Sequence, residues 1–212
     1  MFKKLKTGLC HPKQALDYLL REPNEYQLIQ AEKMEHAVRP GGYLEEHMVK
    51  RTDIHEHLAT LNMLTREFRL RTILELGTGS GESTVALLDA ARKIGGRVYS
   101  VDIEPCPEAH ATIKAHGLEK YWTFIQGDSL KLEWSRPIDH LFIDTVHTYP
   151  QAIRELRKYE PHVRRGGLIT LHDIVTWPGV MRAVNAYTRK RPDLRLYKYF
   201  NNNGLAVIFK GR

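Results

Sequence analysis

The feature that most constrains the fold is an alternation of two patterns that begins near residue 71. Short runs rich in β-branched residues are separated by segments in which apolar residues recur at helical spacing. The runs read TILEL, RVYSVD, TFIQGD, DHLFIDT and GGLITLHD. This alternation predicts βαβ units and a parallel sheet. Because the runs are nearly continuous in apolar residues, we expect helices on both faces of the sheet.

The chain ends in two more strand-like runs that flank an Asn-Asn-Asn-Gly turn, in the stretch LRLYKYFNNNGLAVIFKG. Asn and Gly tolerate the positive φ angles of tight turns, so these runs predict a terminal antiparallel hairpin. The expected fold is therefore α/β, with a Rossmann-like, doubly wound and mostly parallel seven-stranded sheet. We expect residues 70–212 to form this domain and residues 1–69 to form an N-terminal helical cap or extension.

The N-terminal part is predicted to be mostly helical. Residues 12–38 have helical character in two pieces that are broken near Pro23, and the stretch RPGGYLEEH is expected to be a loop. A helix should then begin at a cap on Thr52 or Asp53 and run to about Phe68. Its apolar face comprises Ile54, Leu58, Leu61 and Leu64, whereas His55 and His57 are expected to be solvated.

Composition narrows the choice of partners and compartment. The 212-residue chain carries a formal net charge of +7, but its basic residues are spread along the sequence. No basic run is interleaved with aromatic residues, so the pattern does not favour nucleic-acid binding. No apolar run approaches the ~20 residues that span a membrane. Cys10 and Cys106 are far apart and read as free thiols, which favours the cytoplasm.

A glycine-rich turn follows the first strand run, in the stretch ILELGTGSGEST. A dinucleotide-binding turn would need its third glycine at position 82, where this chain has Glu82, and no Walker-type Gly-Lys-Ser/Thr follows. The turn therefore favours close backbone approach to an uncharged or cationic ligand. Glu75, Asp102 and Asp128 lie at or just beyond the ends of the first three runs, at the edge where ligands of open α/β folds bind.

These motifs together resemble the class I S-adenosylmethionine-dependent methyltransferases over roughly residues 70–210. The resemblance implies that the glycine turn packs on the methionine part of S-adenosylmethionine, that Asp102 holds the ribose, and that Asp128 with Ser129 lies beside the adenine. The cofactor-binding residues implied are Glu75, Gly77, Thr78, Gly79, Ser80, Gly81, Ser83, Asp102, Ile103, Gly127, Asp128, Ser129 and Asp144.

A second group of residues follows the fourth and fifth strand runs. Asp144 and Asp173 end neighbouring runs, and adjacent strands of a sheet lie ~5 Å apart. Two converging carboxylates repel each other unless a proton or a cation lies between them, and a hard divalent cation prefers such oxygen ligands. Two alternatives stay open: His147 could cap or orient the following helix, and Asp173 could be a helix N-cap.

The stretches FIDTVHTYPQ, RRGGLITLHD and WPGVMRAV resemble the small metal-dependent O-methyltransferases of cephalosporin and macrolide-sugar biosynthesis, and more distantly catechol O-methyltransferase. Thr145 stands where that family usually has glycine. The resemblance implies magnesium or another divalent cation held by Asp144 and Asp173, with His172 as a further candidate ligand. Asp144 and His147 are the implied catalytic residues, with His147 as the base.

The expected function is an S-adenosylmethionine-dependent and Mg²⁺-dependent O-methyltransferase. The acceptor is a hydroxyl of a small molecule such as a sugar, a polyketide or a phenol-like metabolite. A base near neutral pKa suits proton removal from such a hydroxyl. Candidate acceptor contacts are Tyr43, His147, Trp177 and Arg182, and the N-terminal helices could form a homodimer contact. The alternatives are an RNA methyltransferase and a cofactor-binding protein without metal dependence.

Overall fold

The computed structural model describes residues 43–211, so the predictions for residues 1–42 lie outside the described part. The helices are α1 (Tyr43–Val49), α2 (His55–Glu67), α3 (Glu82–Ile94), α4 (Pro107–Ala115), α5 (Tyr149–Tyr159) and α6 (Pro178–Thr188). The strands are β1 (Thr72–Leu76), β2 (Arg97–Asp102), β3 (Trp122–Gln126), β4 (Ile138–Ile143), β5 (Val163–His172), β6 (Leu194–Tyr199) and β7 (Leu205–Lys210). Two short 3-10 turns cover Glu119–Tyr121 and Glu160–His162.

The seven strands form one sheet in the order β3-β2-β1-β4-β5-β7-β6. The first five of these are parallel, and β7 runs antiparallel to both β5 and β6. This arrangement confirms the predicted fold class and the terminal hairpin. Strands β1, β2, β4 and β5 are parallel, so their carboxyl ends lie at the same edge of the sheet. The loops that follow these four strands therefore meet at that edge.

The core consists of two apolar layers, one on each face of the sheet. Successive residues of a strand alternate between the faces, so Ile73 belongs to one layer and Leu74 to the other. Helices α1 to α4 contribute to the first layer, and α5 and α6 contribute to the second. The expectation that helices cover both faces is therefore confirmed.

The segment before β1 departs from the sequence predictions in two ways. Residues 43–49, expected to be part of a loop, form α1, in which Leu44 and Met48 are one helical turn apart and buried. The two glycines that precede residue 43 suggested a loop. The helix is stabilised instead by burial of Leu44 and Met48. Helix α2 begins after Ile54 without a side-chain cap, because the Thr52 hydroxyl donates instead to Glu82 over 2.6 Å.

The apolar face predicted for α2 is confirmed, since all four of its residues are buried. The prediction that His57 is solvated is wrong. His57 is buried, and its Nε2 lies 3.0 Å from the carbonyl oxygen of Asn201 in the β6–β7 turn. Burial lowers the pKa of His57 to about 4, so the imidazole is neutral. Among the described helices, none combines the length and the apolar character that a membrane crossing requires.

Candidate active site

The glycine turn lies between β1 and α3 and is built on close backbone contacts. Gly77 has a φ of +88°, and a Cβ added there would lie 1.8 Å from the carbonyl oxygen of Asp144. Gly81, at φ +89°, begins α3 and packs directly on Ala109 of α4. Only glycine fits both positions, because each combines a left-handed backbone with no room for a side chain. The turn is thereby pressed against the loop that follows β4.

Asp102, at the end of β2, holds the glycine turn through its carboxylate. Oδ2 accepts hydrogen bonds from the amides of Thr78 (2.7 Å) and Gly79 (3.1 Å), and Oδ1 accepts one from Glu104 (2.9 Å). Burial raises the pKa of Asp102, but these amides outweigh it and the pKa is lowered, so the group is anionic. An anionic acceptor at this strand end suits a ligand with hydroxyl donors.

Glu75 lies beneath the turn rather than in its open part. Its side chain is completely buried on the α3 face of β1 and accepts hydrogen bonds from Ser83 (2.7 Å), Thr84 (2.7 Å) and Ser100 (2.5 Å). Ser100 in turn accepts a hydrogen bond from the indole of Trp122 (2.8 Å). Burial raises the pKa of Glu75 to about 7, against the opposing effect of the three hydroxyls. Glu75 therefore links β1 to β2 and to the first turn of α3, and it holds the two ends of the glycine turn together from the buried side.

The remaining predicted cofactor residues line the same edge with differing exposure. Ile103 is 67% exposed beside Asp102, and Ser80 is exposed in the turn. Thr78 is buried, and its Oγ1 has no hydrogen-bond partner within residues 43–211. A buried hydroxyl without a partner is costly, so this atom is a candidate for ligand contact.

The loop after β3 brings Gly127, Asp128 and Ser129 to the edge beside Asp102. The Gly127 amide donates to the carbonyl of Asp102 (2.7 Å), and Asp128 accepts from the amide of Leu130 (2.8 Å). The hydroxyl of Ser129, however, donates to Glu155 of α5 over 2.6 Å. Ser129 thus fixes this loop to α5.

Two carboxylates and two imidazoles form a closed ring at the ends of β4 and β5. His147 Nε2 lies 3.1 Å from Asp144 Oδ1 and 2.8 Å from Asp173 Oδ2. His172 Nδ1 lies 3.5 Å from Asp144 Oδ2 and 3.7 Å from Asp173 Oδ1. We call these four residues the acid–imidazole ring. Each carboxylate turns one oxygen toward each imidazole.

The charges of the acid–imidazole ring follow from these contacts. Hydrogen bonds to Asp144 and Asp173 raise the pKa of His147 to about 10, so with these groups alone the imidazole is cationic at neutral pH. The near-neutral pKa expected for His147 from the sequence is therefore wrong for this arrangement. Burial alone would raise the pKa of Asp144, but the two histidines outweigh it and lower that pKa.

Neither residue caps the helix that follows it. Helix α5 is capped by Thr148, whose hydroxyl accepts from the amide of Gln151, so His147 is not its cap. The residue that precedes α6 is Trp177, so Asp173 is not the N-cap of that helix. Asp173 has a φ of +63°, which costs a non-glycine residue ~1 kcal/mol. Such strain is commonly retained where function requires it.

The predicted acceptor contacts are only partly brought together. The ring of Trp177 stacks on that of His147, with centroids 5.4 Å apart and planes inclined by 17°, and 47% of Trp177 is exposed. Arg182 lies on α6 with its guanidinium 5.2 Å from the ring of Tyr149, at the start of α5. Tyr43 begins α1, and its side chain is outside the described part.

Two features of the site have no counterpart in the sequence predictions. The first is Glu155, which is buried and accepts from Ser129, Thr145 (2.8 Å) and Gln151 (2.8 Å), thereby linking the loops after β3 and β4 to α5. Thr145 had signalled this feature, because a hydroxyl replaces the usual glycine there. The second is the contact of the predicted β6–β7 turn with the buried imidazoles of His57 and His172, which lie within hydrogen-bond distance of its carbonyl oxygens. No local sequence signal marks this contact.

Comparison with known proteins agrees with this geometry. Residues 74–174 match a family model described as a methyltransferase domain. This part of the chain is therefore similar to methyltransferase domains. It contains the glycine turn, Asp102 and all four residues of the acid–imidazole ring. The match ends at residue 174, before Trp177 and the terminal hairpin.

Similar solved structures share the fold of the methyltransferase domain over most of the chain. The SAH-bound Podospora anserina methyltransferase PaMTH1 superposes with a TM-score of 0.67 at 15% identity, covering 91% of this chain and 97% of that one. The Bacillus cereus O-methyltransferase in complex with SAH gives 0.67 at 18% identity, covering 85% and 96%. At these identities the likeness establishes the fold alone.

One curated protein is more similar in sequence over a shorter stretch. The L-histidine 2-aminobutanoyltransferase of Yersinia pestis is 31% identical over 101 residues, which are 47% of this chain. The matched stretch is only 36% of that relative's length. The chain therefore spans well under two thirds of this relative.

Proposed function

We propose that this chain is an S-adenosylmethionine-dependent O-methyltransferase that acts on a hydroxyl of a small molecule with the help of a divalent cation. The observation that carries the proposal is the contact between Gly77 and the carbonyl of Asp144. This contact joins the glycine turn, the candidate site for the methyl donor, to the acid–imidazole ring, the candidate site for the acceptor. Direct displacement requires donor and acceptor to be held side by side in this way.

Three observations support S-adenosylmethionine as the ligand of the glycine turn. Gly79 has no atom within 4 Å of the position a Cβ would take, so the turn is open on that side. The Thr78 hydroxyl has no partner in the described part of the chain, and Asp102 is an anionic acceptor next to the exposed Ile103. The two similar structures named above are described as SAH-bound, which agrees with the same class of ligand.

The donor set of the acid–imidazole ring fits a divalent cation, for which the sequence predicts magnesium. One ligand atom from each of Asp144, His147 and Asp173 lies within 4.8 Å of the others. Asp173 Oδ1 is buried and makes no hydrogen bond to any described residue. Because buried polar atoms are usually paired, this oxygen is a candidate ligand atom for the cation. A cation bound there would stabilise negative charge on an acceptor oxygen.

His147 is the proposed base. Its Nε2 faces both carboxylates, and Trp177 holds the ring in place by stacking. In the reaction, the acceptor hydroxyl would lose its proton to His147, and its oxygen would take the methyl group from the sulfonium of S-adenosylmethionine. The carbon–sulfur bond breaks in that step, and S-adenosylhomocysteine is released. His147 can accept that proton only if it first loses the one that Asp144 and Asp173 hold on it. The two carboxylates therefore set the protonation state on which the base depends.

The acceptor class is proposed from the surface beside His147. Val146, which precedes His147, and Trp177, which stacks on it, are apolar and exposed by 62% and 47%. Exposed apolar residues next to polar catalytic groups suit a small molecule with an apolar or aromatic face and a hydroxyl. Three further properties are proposed from the sequence alone. The cysteine usage favours a cytoplasmic protein. The N-terminal residues are proposed to form a helical cap, and the chain is proposed to form a homodimer.

The direct test is to incubate the purified protein with methyl-labelled S-adenosylmethionine and a panel of hydroxylated sugars, polyketides and phenols. Total RNA and histidine are added as separate arms, and products are identified by mass spectrometry. We expect label in an oxygen-linked methyl group of a small molecule, and loss of that product in Asp144→Asn. Label in RNA alone would contradict the proposal.

The histidine arm tests a second candidate function. Transfer of a 2-aminobutanoyl group to histidine is supported by the 31% identity to the Yersinia pestis enzyme over 101 residues. Its product differs in mass from a methylated one, so the same experiment separates the two candidates.

A further inference from the structure

We propose that the edge of the sheet opposite the candidate active site is a docking surface for an anionic phospholipid membrane. Exposed arginines at this edge contact the lipid phosphates: Arg69, Arg71, Arg97, Arg136 and Arg165. We call these five residues the basic edge. The inference goes beyond the proposed function, and it can be tested without turnover because it concerns where the protein binds rather than what it methylates.

The sheet topology brings together arginines that are far apart in the sequence. Arg69 and Arg71 precede β1, Arg97 begins β2, Arg136 precedes β4, and Arg165 lies in the first part of β5. These four strands are parallel neighbours in the sheet, so their starts share one edge. Because adjacent strands lie ~5 Å apart, the four strand starts form a row ~15 Å long.

The charges of the basic edge are not neutralised by the acids around it. Within residues 43–211, none of the five guanidinium groups forms an ion pair with a carboxylate. Asp139 lies at the same edge, but its carboxylate accepts from the amides of Arg71 and Thr72, both at 2.8 Å, and pairs with Arg164. Like charges held side by side repel each other, and a surface of phosphates would relieve that repulsion.

Arg69 is held at the basic edge in a backbone conformation that favours glycine. It follows the C-terminus of α2 with a φ of +52°, and the amide of Leu70 donates to the carbonyl of Thr65 over 2.9 Å. Helices that end in this way usually have glycine at the left-handed position, because a side chain is disfavoured there. Such strain is commonly retained where function requires it, and here the residue retained is an exposed arginine.

A membrane fits this edge better than a single small anion does. A cavity of about 570 Å³ lies beside Arg69 and is lined also by Arg66, Glu67, Lys93 and Ile94. Glu67 and the negative ends of the α2 and α3 dipoles oppose a lone anion in that cavity. A leaflet instead meets the whole row of arginines at once, and each basic residue near an anionic leaflet strengthens binding about fivefold.

Nucleic acid fits the basic edge less well. Single strands bind where bases stack on exposed aromatic side chains, whereas the exposed Trp177 and Phe200 lie at the opposite edge. An RNA substrate bound at the strand starts would also be held away from the glycine turn and the acid–imidazole ring, which follow strand ends. Docking to a leaflet has no such requirement, and it leaves the candidate active site facing the solution.

The experiment measures co-sedimentation of the purified protein with vesicles of phosphatidylcholine alone and of phosphatidylcholine with one third phosphatidylglycerol. We expect binding to the anionic vesicles only, weakened at high salt because exposed charges are screened. A triple variant with Arg69→Gly, Arg71→Gln and Arg165→Gln should bind ~100-fold more weakly, since three contributions of about fivefold multiply.

A second triple variant is the matched control. Arg51→Gln, Lys131→Gln and Arg154→Gln remove the same charge from exposed residues outside the basic edge, so this protein should bind anionic vesicles within ~3-fold of the wild type. Arg69→Gly alone separates docking from a structural role. Removing the left-handed strain should raise the free energy of unfolding in urea, while vesicle binding falls about fivefold.

Three results would overturn the proposal: no preference of the wild type for anionic vesicles, equal losses of vesicle binding in the two triple variants, or tighter binding of duplex or single-stranded RNA than of vesicles at the same salt concentration. Equal losses would mean that net charge alone drives binding. A cooperative urea transition shows that each variant is folded. Methyl transfer is measured separately, so a failure here is distinguishable from failure of the proposed function.

Discussion

Glu75 provides a test of the polar network beneath the glycine turn. The perturbation is Glu75→Gln, which keeps the size of the side chain but removes its ability to ionise. The carboxyl group is completely buried, and burial raises its pKa to about 7 from an ordinary value of 4.5. The three hydroxyl donors oppose this shift without cancelling it. The protein is therefore expected to bind a proton at Glu75 across a pH range in which the unfolded chain does not.

The magnitude follows from linkage between proton binding and folding. A raised carboxyl pKa contributes stability that is fully present below the ordinary value of 4.5 and is lost as the pH rises through 7. The shift of about 2.5 pKa units corresponds to about 3 kcal/mol in total, since each unit is worth about 1.4 kcal/mol. Between pH 5 and pH 8 the loss is about 2.5 kcal/mol. Glu75→Gln lacks this contribution at every pH.

The assay is urea unfolding of wild-type protein and Glu75→Gln at pH 5, 6, 7 and 8. Taking the difference between the two proteins at each pH cancels the titration of all other groups that the substitution leaves unchanged. We expect the advantage of the wild type to shrink by about 2.5 kcal/mol from pH 5 to pH 8. A difference that does not change with pH would refute the reasoning, because it would mean that the three hydroxyls keep Glu75 ionised throughout.

Two further predictions concern the turn and the base. Gly77→Ala should lower the free energy of unfolding by more than ~2 kcal/mol, because its Cβ would overlap the carbonyl of Asp144. The new Cβ of Gly79→Ala meets no atom within 4 Å, so this substitution should lower the free energy of unfolding by only ~1 kcal/mol. It should nevertheless weaken binding of S-adenosylhomocysteine. Equal losses of unfolding free energy in Gly77→Ala and Gly79→Ala, measured by urea unfolding, would contradict the prediction. His147→Gln should lower turnover ~10²-fold and leave S-adenosylhomocysteine affinity nearly unchanged; a stability loss with normal turnover per folded molecule would refute its role as the base.

The sequence predicted the strands, the mostly parallel sheet and the terminal hairpin, because the alternation of strand-like and helical runs and the turn residues are local patterns. The run TILEL, short and followed by a glycine turn, predicts a buried strand, and β1 was found where that run predicts. The glycine turn and Asp102 follow for the same reason, since strand ends and turn residues are marked locally. The four residues of the acid–imidazole ring were named from the sequence. The raised pKa of His147 within that ring was not predicted.

What the sequence could not give depends on contacts between distant segments. His57 was expected to be solvated, but the β6–β7 turn, some 144 residues later, covers it. The pKa of His147 depends on Asp173, which reaches it only because β4 and β5 are adjacent. The pKa of the Cys106 thiol likewise depends on its surroundings, because burial and the nearby Asp102 raise it to about 12.

We expect S-adenosylmethionine to bind on the glycine turn with its ribose held by Asp102. Calorimetric titration of wild-type protein and Asp102→Asn with S-adenosylhomocysteine, and separately with NAD, tests it most directly. Hydrogen bonds to a charged acceptor contribute about 1.5–3 kcal/mol, so Asp102→Asn should bind S-adenosylhomocysteine ~10- to 100-fold more weakly. NAD should give no binding heat. Equal affinity of the two proteins for S-adenosylhomocysteine, or tighter binding of NAD, would contradict the account.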